Sequence, residues 1–404
     1  MATRTQFQVG NTGYDMAELS IAIVSGIALA ITALFLCVAP LTGQIAGVRD
    51  FVVYWATGQQ LVHHGNPYDA AAMLSVERGG GLPAGYGVLY MRNPPWALPI
   101  AYPLGFIGVR LGTLLWSLLL LGCLWAAVQM VWQIHGRPRK LLNFLGLSFA
   151  PALMCLIVGQ TSIFALLGLA LFLRLHRTRP FLAGVSLWLC SLKPHLFLPF
   201  GLVLLAWIVV TRSYRILLGA AAALAASCAL TWWMDPTAWV DYAHMMRNDA
   251  IATEFIPCWS VALRLWIHPA AMGIESILPV LGCVWALAFF WKRRRTWDWA
   301  RDGSLVVLVS IVCAPYCWLY DQAIAIPALL DGAYRTSSRI LLTLLCLGSV
   351  VVEVQLFRGV RLPSPLFLWT APAWLCWYLF AQAAASKPSP PNPVAPSRSP
   401  VEAQ

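Results

Sequence analysis

The chain has 404 residues, of which 60% are hydrophobic and 11% are charged, and its mean hydropathy is +0.71. A soluble domain of this length has too little interior to hide so much apolar surface, so lipid must be the solvent for most of the chain. The net charge of +11 could suggest a nucleic-acid partner. However, the basic residues stand in short clusters between apolar runs, which is the positive-inside pattern of membrane proteins, so no nucleic acid is expected.

Apolar runs recur from residue 19 to residue 382, and runs of about 17 to 25 residues are what a hydrocarbon layer of about 30 Å requires. Alternating strands of about ten residues are absent, so the spans should be helices. The sequence predicts an all-α polytopic membrane protein with about eleven or twelve transmembrane helices, after a cytoplasmic segment at 1–18 and before a disordered Pro/Ser-rich tail at 383–404. The predicted spans are 19–41, 108–133, 141–158, 161–175, 180–192, 195–211, 216–233, 276–291, 304–320, 340–356 and 366–382, with 321–330 either a short crossing or the end of a long helix.

The first outer loop, at about 42–107, contains the most distinctive pattern in the chain. From Asp50 onward the spacing predicts a helix, because Asp50, Tyr54 and Thr57 share one polar face while apolar residues lie on another. The helix is expected to run to about Val62, with a left-handed cap at Gly65. An amphipathic helix with an acidic polar face is not what a simple linker would need.

Two pairs of short apolar segments follow, and polar residues interrupt each pair at its outer end. The first pair is broken at Gln160, which follows a glycine, and the second at Lys193 and His195, which flank a proline. A residue that precedes a proline is pushed out of helical geometry, so Lys193 is a predicted break point. A second outer loop, rich in aromatic and polar residues, is predicted at about 234–275.

The order of these motifs resembles that of a known family. An acidic residue begins an amphipathic helix, an aromatic follows at its fifth position, and then come G-N-P-Y-D and, later, N-P-P before an apolar run that ends in P-L. This arrangement resembles glycosyltransferase family 87, formerly a family of unknown function, in the GT-C superfamily. Similar pieces around Gln160, Lys193 and Asp321 extend the resemblance over about 19–382.

The resemblance implies a GT-C-type bundle with a catalytic pocket at the extracytoplasmic face. It implies the transfer of a hexose, with mannose expected, from a polyprenyl-phosphate donor to a lipid or glycan acceptor. Family members are expected to act by inverting single displacement. The location that follows is a bacterial-type inner (cell) membrane, with the active site on the periplasmic side and membrane lipid around the chain.

Asp50 is the predicted catalytic base. An acceptor hydroxyl that attacks the anomeric carbon must lose its proton, and one carboxylate suffices for a single displacement. From the residues alone, Asp50 could equally cap the helix or pair with Arg49. The resemblance favours the base, and we then expect Arg49 and Tyr54 to contact substrate.

Cations or hydrogen-bond donors are needed where negative charge accumulates on the departing phosphate. Lys193 and His195 could hold that phosphate, although a lysine at such a place could also reach the membrane interface without a ligand. Arg92 and Arg264, in the two outer loops, are further phosphate candidates. Gln160 could hydrogen-bond sugar hydroxyls or merely cap a helix end.

Asp321 follows an aromatic segment and is expected at an outer helix end, where it could orient the sugar or a catalytic partner. The corresponding segment of the family often carries a histidine or tyrosine, and this chain departs from that pattern. No glycine-rich phosphate loop and no Asp-x-Asp pair suits a metal–nucleotide sugar. We therefore expect a membrane-borne donor, no cofactor and no metal site, and we leave open whether a divalent metal is required.

Two other functions remain open from the sequence. A polytopic transporter or flippase of lipid-linked saccharides is expected to place charges at the bilayer midplane within inverted repeats, whereas the charges of this chain gather at one face. A catalytically inactive scaffold in an envelope-glycan assembly complex is the other alternative.

Overall fold

The computed structural model describes residues 16–42, 49–247 and 254–385. These residues form eighteen α-helices and no strands, with short 3-10 turns and one π-helical turn between them, so the predicted all-α class is confirmed. The helices are α1 (Met16–Thr42), α2 (Arg49–Val62), α3 (Ala70–Gly79), α4 (Leu98–Ala101), α5 (Val109–Ile134), α6 (Asn143–Leu147), α7 (Ala150–Val158), α8 (Ser162–Leu175), α9 (Pro180–Cys190), α10 (Leu198–Thr211), α11 (Tyr214–Met234), α12 (Ala238–Met246), α13 (Trp259–Ile267), α14 (Ile277–Arg293), α15 (Ser304–Val312), α16 (Ile326–Arg335), α17 (Arg339–Phe357) and α18 (Thr370–Ala385).

Six helical segments of the described chain are long and apolar enough to cross a membrane, or seven if the bent pair of α6 and α7 counts as one span. The six are Met16–Ala39, Val109–Ile134, Pro194–Thr211, Tyr214–Met234, Met272–Arg293 and Arg339–Phe357. The chain is therefore a multi-pass membrane protein. The expected number of eleven or twelve crossings includes shorter apolar helices such as α8 and α9, and that number stays a prediction. Most of the predicted cytoplasmic segment and nearly all of the predicted tail lie outside the described residues.

The structure differs from the predicted span at 304–320, because α15 already ends at Val312. Pro315 disfavours helical geometry for the residue before it and has no N–H to continue the helix. The chain then turns, and a 3-10 helix over Leu319–Ala325 leads into α16. The segment 321–330 is thus not the end of a long helix but a second start after a break, and the short crossing stays a prediction.

The helix predicted from Asp50 is α2, which ends at Val62. The left-handed residue after it is His64, with φ of 56°, and not the expected Gly65. The chain reverses one residue earlier than predicted, and the N–H of Gly65 donates to the carbonyl of Gln60 at 2.7 Å.

α2 lies directly on the short apolar segment at 98–106, which contains α4 and a 3-10 turn. A Cβ added to Gly58 would stand 2.4 Å from the carbonyl oxygen of Ala101, and a Cβ added to Gly105 would stand 2.2 Å from that of Gly58. Gln59 Nε2 donates to the Gly105 carbonyl at 3.0 Å. The two backbones therefore touch, and this contact sets the position of α2.

Two side chains of α3 form hydrogen bonds with the backbone of the segment that follows it, between Leu82 and Leu89. The Glu77 carboxyl is fully buried and accepts a hydrogen bond from the N–H of Leu89 at 3.1 Å. The guanidinium of Arg78 donates to the backbone carbonyls of Leu82, Pro83, Ala84 and Tyr86. Burial raises the pKa of Glu77 to about 7.

Both predicted helix breaks are present. α7 ends at Gly159, whose φ of 79° is left-handed, and the N–H of Gln160 donates to the carbonyl of Cys155 at 3.0 Å. α9 ends at Cys190, and a 3-10 turn begins at Pro194 before α10. The two breaks bring polar residues to the same end of the helices.

We predict that Gly58→Ala destabilises the protein by about 1 to 3 kcal/mol, because the new methyl group overlaps backbone atoms that cannot move aside. The midpoint of thermal unfolding in detergent measures the effect. Gly122→Ala in α5 is the matched control, since no atom lies within 4 Å of the added Cβ and alanine favours a helix. Equal midpoints for the two variants would contradict the close contact under α2.

We also predict that Glu77→Gln raises the midpoint of thermal unfolding at pH 8 and changes it much less at pH 4.5. The raised pKa means that the stabilising neutral form is fully present at low pH and is lost as the pH rises through about 7. Glutamine stays neutral and keeps an acceptor for the N–H of Leu89. A shift of the same size at both pH values would contradict a buried, neutral carboxyl.

Candidate functional site

A polar cavity of about 480 Å³ lies between α2, the two helix breaks and the turn that precedes α16. Most of the predicted site residues line this cavity, namely Asp50, Tyr54, Arg92, Gln160, Lys193 and His195. These residues come from positions spread over almost 150 residues of chain. The folded structure thus brings together side chains whose proximity the sequence does not show.

Asp50 is buried at the edge of the cavity, in the first turn of α2. A carboxylate in the first turn is favoured by the helix dipole. Gln160 Nε2 donates to Asp50 Oδ2 at 2.9 Å, so the carboxylate is held from across the cavity as well as by its own helix. Arg49 is a predicted substrate contact and the alternative partner of Asp50, and its side chain lies outside the described part of the structure.

The Lys193 ammonium lies inside the cavity wall and pairs with the carboxylate of Asp321 at 2.6 Å. Its Nζ is 5.0 Å from the ring centroid of Tyr320. Burial alone would lower the pKa of Lys193, but the adjacent Asp321 carboxylate outweighs it and raises the pKa above its usual value. The ammonium therefore stays charged beside the cavity.

Asp321 itself is fully buried and does not line the cavity. Besides Lys193, its carboxylate accepts hydrogen bonds from the hydroxyl of Ser162 at 2.6 Å and from the N–H of Trp318 at 2.9 Å. With these three donors it faces the protein interior. Asp321 thus contacts Lys193 and does not line the cavity, and its predicted role in orienting a catalytic partner stays a prediction.

His195 lines the cavity and packs edge-on against Tyr316, with ring centroids 4.8 Å apart. In the described part of the chain, its buried Nε2 has no hydrogen-bond partner.

Arg92 forms an ion pair with Glu254 at 2.5 Å, and both residues line the cavity. The hydroxyl of Tyr242 donates to the carbonyl of Arg92 at 3.4 Å. The two loops predicted at about 42–107 and 234–275 thus meet at the cavity through these contacts. The positive charge of Arg92 is therefore already balanced by the Glu254 carboxylate before an anionic ligand binds.

The structure does not bring Arg264 to the cavity. It is buried on α13, where its guanidinium pairs with Glu275 at 2.5 Å and also donates to the carbonyl of Pro269. α13 is amphipathic and turns its charged face toward the 3-10 turn at Met272–Ser276. A phosphate contact by Arg264 is therefore not part of this cavity.

Several residues that line the cavity were not predicted, and five of them are aromatic. Their rings and hydroxyls could contact the face and edge of a sugar. The alternating aromatics at 316, 318 and 320 are the signal that could have found part of this set. The unpredicted residues that line the cavity include Tyr90, Asn93, Tyr242, Tyr316, Trp318 and Tyr320.

An apolar groove of about 850 Å³ lies next to the polar cavity. Helices α9, α10, α11 and α14 form its walls, and Pro194 lines both the groove and the cavity. Several of its lining side chains, such as Leu205, Leu217 and Val284, are about half exposed or more, so the groove opens to the apolar outer surface. A long apolar ligand could lie there with a polar end in the cavity.

Within the described residues, no group of three or more His, Cys, Asp or Glu side chains could hold a metal ion. The cavity instead presents a carboxylate, a buried ammonium and an arginine. Such a set can accept a proton from one ligand and neutralise negative charge on another.

The family model of glycosyltransferase family 87 matches residues 90–315. The matched region includes Arg92, Gln160, Lys193 and His195 of the cavity. The comparisons with curated proteins and with solved structures found no match. Because the family match covers more than half of the 404 residues, the chain belongs to glycosyltransferase family 87 and is a membrane glycosyltransferase.

Proposed function

We propose that this glycosyltransferase moves a hexose from a polyprenyl-phosphate donor to a lipid or glycan acceptor at the extracytoplasmic face of a bacterial-type cell membrane. One observation carries the proposal: Asp50 and Lys193 line one polar cavity, and an apolar groove adjoins that cavity at Pro194. Mannose is the hexose that we propose, on the basis of the family resemblance. The extracytoplasmic side follows from the basic clusters, which are expected on the cytoplasmic side.

Asp50 is the proposed base. It takes the proton of the acceptor hydroxyl while the hydroxyl oxygen forms a bond to the anomeric carbon of the sugar. The bond from that carbon to the phosphate oxygen breaks, and its electron pair stays on the polyprenyl phosphate. Because the acceptor attacks from the side opposite the leaving phosphate, the configuration at the anomeric carbon is inverted.

The departing phosphate gains negative charge, and Lys193 is the cation placed to balance it. Its ammonium is fixed by Asp321, so no reorganisation is needed when the charge develops. His195 and Arg92, which also line the cavity, are the further residues proposed to donate to the phosphate. For Arg92 to bind the phosphate, it must exchange its ion pair with Glu254 for the ligand.

The apolar groove supports a lipid-linked donor. A water-soluble sugar nucleotide would leave the groove unoccupied, whereas a polyprenyl chain can lie along it and place its phosphate near Pro194. Isoprenoid chains are apolar along their whole length, which matches the walls of the groove. The acceptor then enters the cavity from the side of the aromatic residues and Glu254.

We predict that Asp50→Asn lowers kcat by about 10²- to 10⁴-fold, because the side chain keeps its shape but loses its basicity. The measurement is product formation by the purified protein from labelled polyprenyl-phosphate mannose and a membrane lipid extract. Asp69→Asn is the matched control, because Asp69 caps α3 away from the cavity and asparagine caps equally well.

Wild-type turnover in Asp50→Asn, with normal protein levels, would remove the catalytic assignment. Movement of lipid-linked saccharide across vesicle membranes, without transfer to any acceptor, would support the transporter or flippase alternative instead.

We also predict that Leu217→Trp raises the KM for a long-chain polyprenyl-phosphate donor by about 10-fold and changes the KM for a ten-carbon analogue much less. Leu217 lines the groove, and an indole there obstructs a long chain only. Leu218→Trp is the matched control, since its neighbour Leu218 is 61% exposed and lies outside the groove. Equal effects of both variants on both donors would argue against a lipid chain in the groove.

A further inference from the structure

The amide of Gln160 is hydrogen-bonded on every side by the protein. Its Nε2 donates to Asp50 Oδ2 at 2.9 Å and to the hydroxyl of Tyr320 at 3.4 Å. Its Oε1 accepts from the hydroxyl of Tyr54 at 3.0 Å and from the N–H of Thr161 at 3.3 Å. A glutamine amide has two donor hydrogens and two acceptor lone pairs, so all four are used.

We propose that Tyr54 and Gln160 are positioning residues that hold the Asp50 carboxylate for proton abstraction, and that neither binds the sugar. Tyr54 donates to Gln160 Oε1, which turns the Nε2 group toward Asp50. This inference rests on the proposed function of Asp50 as the base. It replaces the expectation from the sequence that Tyr54 and Gln160 contact substrate.

The orientation of the amide follows from the chemistry of its neighbours. An ionised carboxylate only accepts hydrogen bonds, so the Nε2 side must face Asp50. In the opposite orientation Oε1 would face the carboxylate. Two acceptors would then repel each other, and the charge-assisted hydrogen bond to Asp50 would be lost. The backbone N–H of Thr161, which can only donate, opposes that flip because it requires Oε1 on its side, and the Tyr54 hydroxyl adds its proton to the same oxygen.

Tyr54 is suited to this task because it cannot move or ionise easily. Its side chain is 3% exposed, and its ring stacks on Trp116 at a centroid distance of 5.4 Å. Burial raises the pKa of Tyr54 well above its usual value, so the phenol keeps its proton. One turn of α2 separates Tyr54 from Asp50, which places both on the polar face of the same helix.

The backbone of Gln160 is fixed as well. Gly159 ends α7 in the left-handed region, and the N–H of Gln160 donates to Cys155 at 3.0 Å. The indole of Trp116 donates to the carbonyl of Gly159 at 2.8 Å. Trp116 thus supports both members of the pair, through the ring of Tyr54 and through the turn that carries Gln160.

The test is a double-mutant cycle with Gln160→Leu and Tyr54→Phe in the purified full-length protein. We expect Gln160→Leu to lower kcat by about 10- to 100-fold, because a hydrogen bond to a charged group is lost. We expect Tyr54→Phe to lower kcat by a smaller factor. In both, the KM for polyprenyl-phosphate mannose should stay within about twofold. The double variant should be no slower than Gln160→Leu, because Tyr54 acts through Gln160.

A pH profile of kcat/KM adds a second measurement, which should not change if Gln160 has only a structural role. Gln160→Glu keeps the acceptor for Tyr54 but places a second carboxylate beside Asp50. Two close carboxylates oppose each other's ionisation, so the acidic limb of the kcat/KM profile should shift to higher pH by about one unit or more. Tyr68→Phe is the control, because Tyr68 is buried, is not among the residues that line the cavity and, within the described residues, has a hydroxyl without a hydrogen-bond partner.

Three results would overturn the inference. A donor KM raised more than 10-fold with kcat retained would show that these side chains bind the sugar. Multiplicative effects in the double variant would show that Tyr54 acts independently of Gln160. An unshifted acidic limb in Gln160→Glu would show that residue 160 does not act on the base. Should Gln160→Leu fail to fold, Tyr54→Phe and Gln160→Glu carry the same comparison.

The outcome also separates this inference from the proposed function. An active Asp50→Asn variant would refute the base itself, and the positioning role would fail with it. An inactive Asp50→Asn variant together with an unchanged kcat in Gln160→Leu would refute only the positioning role.

Discussion

The buried ion pair between Lys193 and Asp321 is the interaction on which the cavity depends. The two residues are 128 positions apart, at a helix break and at the start of a 3-10 helix. Neither charge would be tolerated alone in such surroundings, and removal of one partner would leave the other uncompensated. Asp321 also binds Ser162 and the N–H of Trp318, so one carboxylate joins three segments around the cavity.

Irregular backbone forms most of the cavity wall. Long apolar helices offer no place for converging polar groups, and breaks in helices are tolerated at membrane depth only where protein or a water-filled cavity surrounds them. The breaks at Gln160 and Lys193 and the turn after α15 supply these polar groups, while intact stretches of α10, α11 and α14 form the apolar groove. A polar cavity that adjoins an apolar groove suits a substrate with a charged head and a lipid chain.

Much of the fold could be predicted from the sequence, because hydropathy and helix-breaking residues act locally. The long apolar runs, α2 with its polar face, and the breaks at Gln160 and Lys193 all follow from such local signals. The span predicted at 304–320 was wrong, because hydropathy favours a continuous helix there whereas Pro315 disfavours one, and the helix ends at Val312. The left-handed residue after α2 was misplaced by one position, since such a turn depends on which carbonyl the next N–H reaches.

The sequence by itself determined the membrane class, the helical breaks and the residue types from which a transferase site could be built. Tertiary structure alone decided which of them meet: it joined Asp50 to Gln160, placed Asp321 behind Lys193, and kept Arg264 with Glu275 away from the cavity. The physical reason is that periodicity and propensity describe one helix at a time. Hydrogen bonds and ion pairs between distant segments depend on how the helices pack, and no local pattern records that.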